Sequence, residues 1–252
     1  MKQRIRDSNP YRGAVGAAGG VRVLWTDAFG TNRDHVLTGP VDLGLEHAQI
    51  SRKGYRYQHR RNYEGEYYCA GSDQMIWFES MTEYSALLHL DHTRSLAAVS
   101  AQPCCLVFND NTRHYPDFYM VTREGARSLL DVRPVDRIRD EDRRMFARTA
   151  RMCELAGWGY EVLHGVTGWE LQNLEFLSAY RIRPAAPTQE TRDRIHSLLR
   201  DGPKPLGELC RNLDCQEPWK FLPAVYHLMF IRDLSYDESR PFTMATRVWL
   251  EE

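Results

Sequence analysis

Apolar and polar positions alternate over residues 21–25, which predicts a first short strand, whereas 40–50 are mixed and assign no element. Over 77–92, Trp77, Met81, Tyr84 and Leu88 recur at intervals of four, three and four, the apolar stripe of a helix. Three strand-like runs follow. Residues 105–109 are apolar and end in Asn109-Asp110-Asn111, a turn composition; 115–122 are aromatic and β-branched, with Pro116 tolerated at the strand's start; 127–132 come after a turn at Glu124-Gly125. The last two runs are expected to form a hairpin. Asp117, near the beginning of one strand, and Asp131, near the end of its antiparallel partner, then come to the same end of the sheet.

Pro134 stops the third run, and Asp140-Glu-Asp142 opens a second helix with acids at its N-terminal dipole. Met145, Thr149, Met152 and Ala156 form its buried stripe, Gly157 is its C-cap, and 159–164 read as a further strand. Helix, three strands, helix, strand is an α/β core with a mixed sheet. A helical segment over 169–180 leads to the linker Arg183-Pro-Ala-Ala-Pro187. Beyond it, helical patterns at 191–200, 205–213 and 218–232 precede strands at 234–236 and 246–250, the order of a winged-helix-like module. The predicted organisation is a partly mobile extension over 1–50, a core domain over 51–183 and a small C-terminal domain over 188–252.

Composition changes this picture little. With 42% hydrophobic and 27% charged residues among 252, the chain is of ordinary globular type. A net charge of -1 argues against a protein that coats nucleic acid wholesale and leaves a local basic face open. No apolar run suggests a leader or a membrane span, so a cytoplasmic location is expected. The six cysteines lack Cys-x-x-Cys spacing and are expected to be reduced and mostly buried, with no zinc. The C-terminal module carries eleven acids against nine bases, which favours protein docking over DNA reading.

The candidate chemistry lies in three places. Between 51 and 63 the chain has five Lys/Arg, three Tyr and no acid; Arg52, Lys53, Tyr55, Arg56, Arg60 and Arg61 suit phosphate contact with base or sugar stacking, and equally a solvated strand edge. Glu79 and Glu83 lie four apart on the first helix, and Ser80-x-x-Glu83 fits a capping box, the role that spacing alone favours for Glu83. Asp117 and Asp131 meet through the hairpin, with Arg133 two residues on. Gln102 is a candidate to line the site or a buried strand-end amide.

Taken in order, Trp77-Phe-Glu-Ser-Met-Thr-Glu83, Gln102-Pro103, His114-Tyr-Pro-Asp-Phe118, Leu130-Asp-Val-Arg-Pro134 and Gly157-Trp-Gly-Tyr160 resemble the N-terminal catalytic domain of TnsA-like endonucleases. These are the cleaving subunits of heteromeric transposases, in the PD-(D/E)XK restriction-endonuclease-like superfamily. The resemblance covers residues 50–180 and implies that core fold, followed by a winged-helix tail. It implies that Glu83, Asp117, Asp131 and the Val132 carbonyl hold Mg²⁺, with Mn²⁺ substituting, and Glu79 as the lesser choice for the helix acid. Such an ion activates water for attack at phosphorus and offsets charge on the leaving oxygen. Double-stranded DNA at transposon ends is the implied substrate. A DDE-type transposase subunit and an AAA+ ATPase regulator, the latter met by the C-terminal domain, are the implied partners in a bacterial cell. Arg133 departs from the superfamily's lysine: it is always protonated, so it can clamp a phosphate but cannot act as a base. A stand-alone restriction or defence nuclease and a metal-free DNA- or protein-binding scaffold are the competing readings.

Overall fold

A computed structural model describes Tyr11, Gly16 and residues 20–52 and 63–251. Two compact units emerge. The first holds the described residues up to Leu87 together with Arg94–Gly165; the second holds Leu88–Thr93 and the chain from Val166 onward.

In the first unit β1 (Arg22–Thr26) and β2 (Asn32–Val36) form an antiparallel pair, and β3 (Gly65–Cys69) and β4 (Gln74–Phe78) a separate hairpin. Helix α1 (Met81–Thr93) follows, its residues from Leu88 onward counted with the second unit, then β5 (Leu96–Ala101), β6 (Cys105–Val107), β7 (Arg113–His114), β8 (Phe118–Thr122) and β9 (Arg127–Val132). Helix α2 (Asp140–Ala156) and β10 (Gly159–Leu163) complete the unit. One sheet has the order β2-β1-β6-β7. The other, β10-β9-β8-β5, is mixed: β9 and β10 run parallel and the remaining pairs antiparallel. Parallel neighbours need a crossover connection, which α2 supplies. The chain is therefore mixed α/β with several sheets.

The predicted hairpin forms, with Phe118 opposite Leu130 and Val121 opposite Arg127. Strand β9 lies between two neighbours and is buried at Ser128–Asp131 on both of its faces, as an interior strand requires. The run at 105–109 does not join this sheet. Its strand β6 pairs with β1 (Val23 opposite Leu106), and the sheet partner of β8 is β5, to which the sequence pattern assigned no element. Alanine-rich Leu-Ala-Ala-Val-Ser-Ala carries little β-propensity, and cross-strand packing against β8 overrides it.

Helix α1 also starts later than its stripe suggested. Trp77 belongs to β4, opposite Glu66. From Ser85 to His92 every residue but His89 is buried, so a polar face hardly exists to give the helix a 3.6-residue rhythm. The α2 stripe holds: Thr149, Met152 and Ala156 are buried and Met145 is half-buried. Gly157 caps the helix at φ 74°, in the left-handed region that glycine reaches without a Cβ clash. The core joins Val23 and Trp25 of β1, Leu106 of β6, Tyr119 of β8, Leu129 of β9 and Met152 of α2, with the Trp158 Nε1–H donating to the Val41 carbonyl at 2.8 Å.

The second unit contains α3 (Gly168–Ser178), α4 (Gln189–Leu199), β11 (Lys204–Pro205), α5 (Leu206–Leu213), α6 (Leu222–Phe230), β12 (Leu234–Tyr236) and β13 (Arg247–Leu250). The three strands form one antiparallel sheet, β11-β13-β12. The helices and last strand pair occur in the expected order, with β11 added. The unit begins ahead of the 183–187 linker, which forms a single 3-10 turn at Arg183–Ala185. Helix α3 belongs here because Leu174 and Leu177 are fully buried and Phe176 stacks edge-on against Tyr226 at 5.1 Å. Of the six cysteines, none is paired; Cys215 is exposed and the other five are buried.

Candidate functional site

Because Phe118 faces Leu130, the residues just outside that pair, Asp117 and Asp131, meet at one end of the β8–β9 hairpin. They line a cleft of about 320 Å³ with Glu83, His114, Tyr115, Arg133, Arg137 and Asp142. Asp117 Oδ2 accepts the Val132 N–H at 2.7 Å, which fixes its carboxylate against the neighbouring strand. Asp131 is buried, and its Oδ2 takes hydrogen bonds from His114 Nε2 at 2.8 Å and from the Tyr160 hydroxyl. His114 comes from β7 of one sheet and Tyr160 from β10 of the other, so both sheets orient this one side chain.

The electrostatics follow from this crowding. Burial, and then the charges of Asp131 and Glu83, push the Asp117 carboxyl well above the usual carboxylate range, against the lowering effect of the Val132 N–H. Burial and the adjoining Asp131 charge likewise raise the Tyr160 phenol. The Cys153 thiol, close to Asp131, is pushed up to about 12, chiefly by burial, and stays protonated.

Glu83 lines the cleft, but its carboxylate is engaged at the helix start. Oε2 accepts the Glu79 N–H at 2.7 Å, Oε1 accepts the Ser80 hydroxyl at 2.9 Å, and Ser80 Oγ accepts the Glu83 N–H at 3.2 Å. That is a variant of the capping box, in which the glutamate reaches back to the Glu79 N–H and the Ser80 hydroxyl in place of the Ser80 N–H. Glu79 does not line the cleft; its Oε2 accepts the Gln102 carboxamide at 3.1 Å. Gln102 is buried with φ at 42°, a conformation costing a non-glycine residue about 1–2 kcal/mol. Its N–H donates to the Asp117 carbonyl at 2.7 Å and its carbonyl accepts the Ser51 N–H at 2.9 Å. Its place is therefore behind the site, holding the Asp117 backbone. Arg133 stands at the cleft with Nη2 3.4 Å from Asp142 Oδ2.

Of the basic run, Lys53, Tyr55, Arg56, Arg60 and Arg61 lie outside the described residues. Arg52 is exposed, its guanidinium 5.8 Å from the centre of the Tyr115 ring, which itself lines the cleft. The sequence reading missed His114 and Tyr160 as site residues. His114 stands three residues before Asp117, a visible signal. Tyr160 is brought in by the parallel register, two residues ahead of Val162, the partner of Asp131, and on the same face.

Among the described residues, no group of three or more His, Cys, Asp or Glu side chains converges as a metal site. The fit to a divalent ion rests on two carboxylates. Oδ1 of Asp117 and Oδ1 of Asp131 each take part in no hydrogen bond among the described residues, and the repulsion that raises Asp117 is the kind a cation relieves. All-oxygen donors suit Mg²⁺, which keeps several waters when held by one or two carboxylates. Among the described residues, no helix is long and apolar enough to cross a membrane. In comparisons with known proteins, the chain matches no family model and no curated protein.

Proposed function

We propose that the chain is a Mg²⁺-dependent DNA endonuclease, the cleaving subunit of a heteromeric transposase. The observation that carries this reading is the hairpin end at which Asp117 and Asp131 crowd together at a cost in Asp117 ionisation. Asp117 and Asp131 would hold the ion, with the Val132 carbonyl as a further oxygen. When bound, Mg²⁺ supplies charge neutralisation at the scissile phosphate and lowers the pKa of coordinated water. The chain's own residues do the remaining work. His114 and Tyr160 fix the Asp131 carboxylate by hydrogen bonds to one oxygen, which leaves the other for the ligand. Arg133, unable to act as a base, contributes positive charge beside the developing oxyanion. The core fold would be of restriction-endonuclease type and the second unit a winged-helix-like module. That module is a candidate dock for an AAA+ ATPase regulator, and a DDE-type transposase would act on the complementary strand ends.

A binding-only scaffold is the second reading, favoured by the engagement of Glu83 in its capping box. Plasmid nicking separates the two. The purified chain, mixed with a cognate transposase and end DNA, is expected to nick in Mg²⁺, to stop on chelation and to lose activity in Asp117→Ala. Absence of nicking under every condition would leave the scaffold.

A further inference from the structure

The cleft that holds the acid pair also carries a cationic edge that those acids do not use. Arg133 follows β9, and Arg137 ends the 3-10 turn Val135–Arg137; both line the cleft with Asp117 and Asp131. Arg133 is poorly satisfied. Its Nη2 reaches Asp142 at only 3.4 Å, longer than the 2.7–2.9 Å typical of a charge-assisted bond, and its Nε is buried with no hydrogen-bond partner among the described residues. Asp142 is meanwhile held by the Arg139 N–H at 2.9 Å. Arg137 is exposed, and its guanidinium makes no hydrogen bond or ion pair among the described residues. Elsewhere in this unit Arg22, Arg33 and Arg148 are each paired with an aspartate, and Arg127 pairs with Asp42 through Nη2 while its Nε, like that of Arg133, is buried without a partner among the described residues.

We infer that Arg133 and Arg137 form a phosphodiester clamp, in which Arg137 meets a backbone phosphate directly and Arg133 leaves Asp142 to join it. The inference rests on the nuclease reading and extends it to how the substrate is held. The chemistry follows from the lining. Four carboxylates and two guanidiniums line the cleft, and a phosphodiester with its divalent counter-ion complements both signs of charge. Guanidinium groups match phosphate oxygens by paired, planar donation, and the unpartnered Nε of Arg133 supplies one of those donors. Asp142 serves as the resting partner of Arg133, held at 3.4 Å and released when a phosphate offers the guanidinium paired acceptors at closer range.

Binding of a fluorescein-labelled random-sequence duplex to the full chain, followed by anisotropy over a salt series, tests the clamp. Arg137→Ala is expected to bind about tenfold more weakly and to lose about 0.9 from the slope of log K against log salt, the share of one duplex phosphate. Arg137→Lys should keep the slope, because a lysine provides the same point charge. Asp142→Asn, which retains an acceptor for the Arg139 N–H, should bind more tightly with a steeper slope. A wild-type slope in Arg137→Ala overturns the direct contact, and no gain in Asp142→Asn overturns the release of Arg133. Wild-type protein that binds duplex without salt dependence overturns the nuclease reading and the clamp with it. The two failures are thus distinguishable.

Discussion

Asp117 is the residue on which the site turns. Its carboxyl is raised by burial first and by Asp131 and Glu83 next, so in the metal-free protein it holds its proton above the range of an unfolded chain. The sign of the consequence is fixed by linkage. Between the unfolded carboxylate value of about 4 and the raised value, the native state binds more protons than the unfolded state, so stability is full below that window and falls as pH rises through it. Asp117→Asn keeps an acceptor for the Val132 N–H and removes the charge. It is expected to flatten this pH dependence and raise the melting temperature of the metal-free protein at neutral pH. Melting curves recorded in chelator from pH 4 to pH 8 would check it, on the scale set by ordinary carboxyl titration. A variant that melts with the wild-type pH profile would show that Asp117 is ionised despite its surroundings.

At the scale of elements, the start of α1 decides what Glu83 does. The capping box holds its carboxylate through the Glu79 N–H and the Ser80 hydroxyl. Glutamine fills the same position in such boxes, so Glu83→Gln should leave stability close to wild type. Glu83→Ala should lower it by about 1 kcal/mol, measured by denaturant unfolding. Comparing nicking in the same two variants assigns the second role. Loss of activity in the stable Glu83→Gln variant would show that the carboxylate leaves its cap for the ion. The capping box was legible in the spacing Ser80-x-x-Glu83, and so was the β8–β9 hairpin, because both are set by neighbours in sequence. The sheet partner of β8 was not legible. Strand β5 is alanine-rich, and its pairing depends on packing that local pattern does not encode.

For the whole molecule, an ion held by Asp117 and Asp131 would stabilise the native state by mass action. At a hundredfold excess over its dissociation constant the gain is about 2.7 kcal/mol. Mg²⁺ is therefore expected to raise the melting temperature of wild-type protein and to leave Asp117→Ala unmoved. An equal rise in both would place the ion elsewhere. The chain by itself determined the residues that come from local signals: the turn at Glu124-Gly125, the acid-led start and glycine end of α2, and Asp117 with Asp131 at one hairpin end. Only the tertiary structure decided the surroundings of those acids. His114 reaches Asp131 because β7 joins β6 and β1 in one sheet, and Tyr160 reaches it because β10 runs parallel to β9 in the other. Both contacts join residues far apart along the chain or in separate sheets, and their register is fixed by which faces can be buried together. Periodicity within a short window carries no record of that choice.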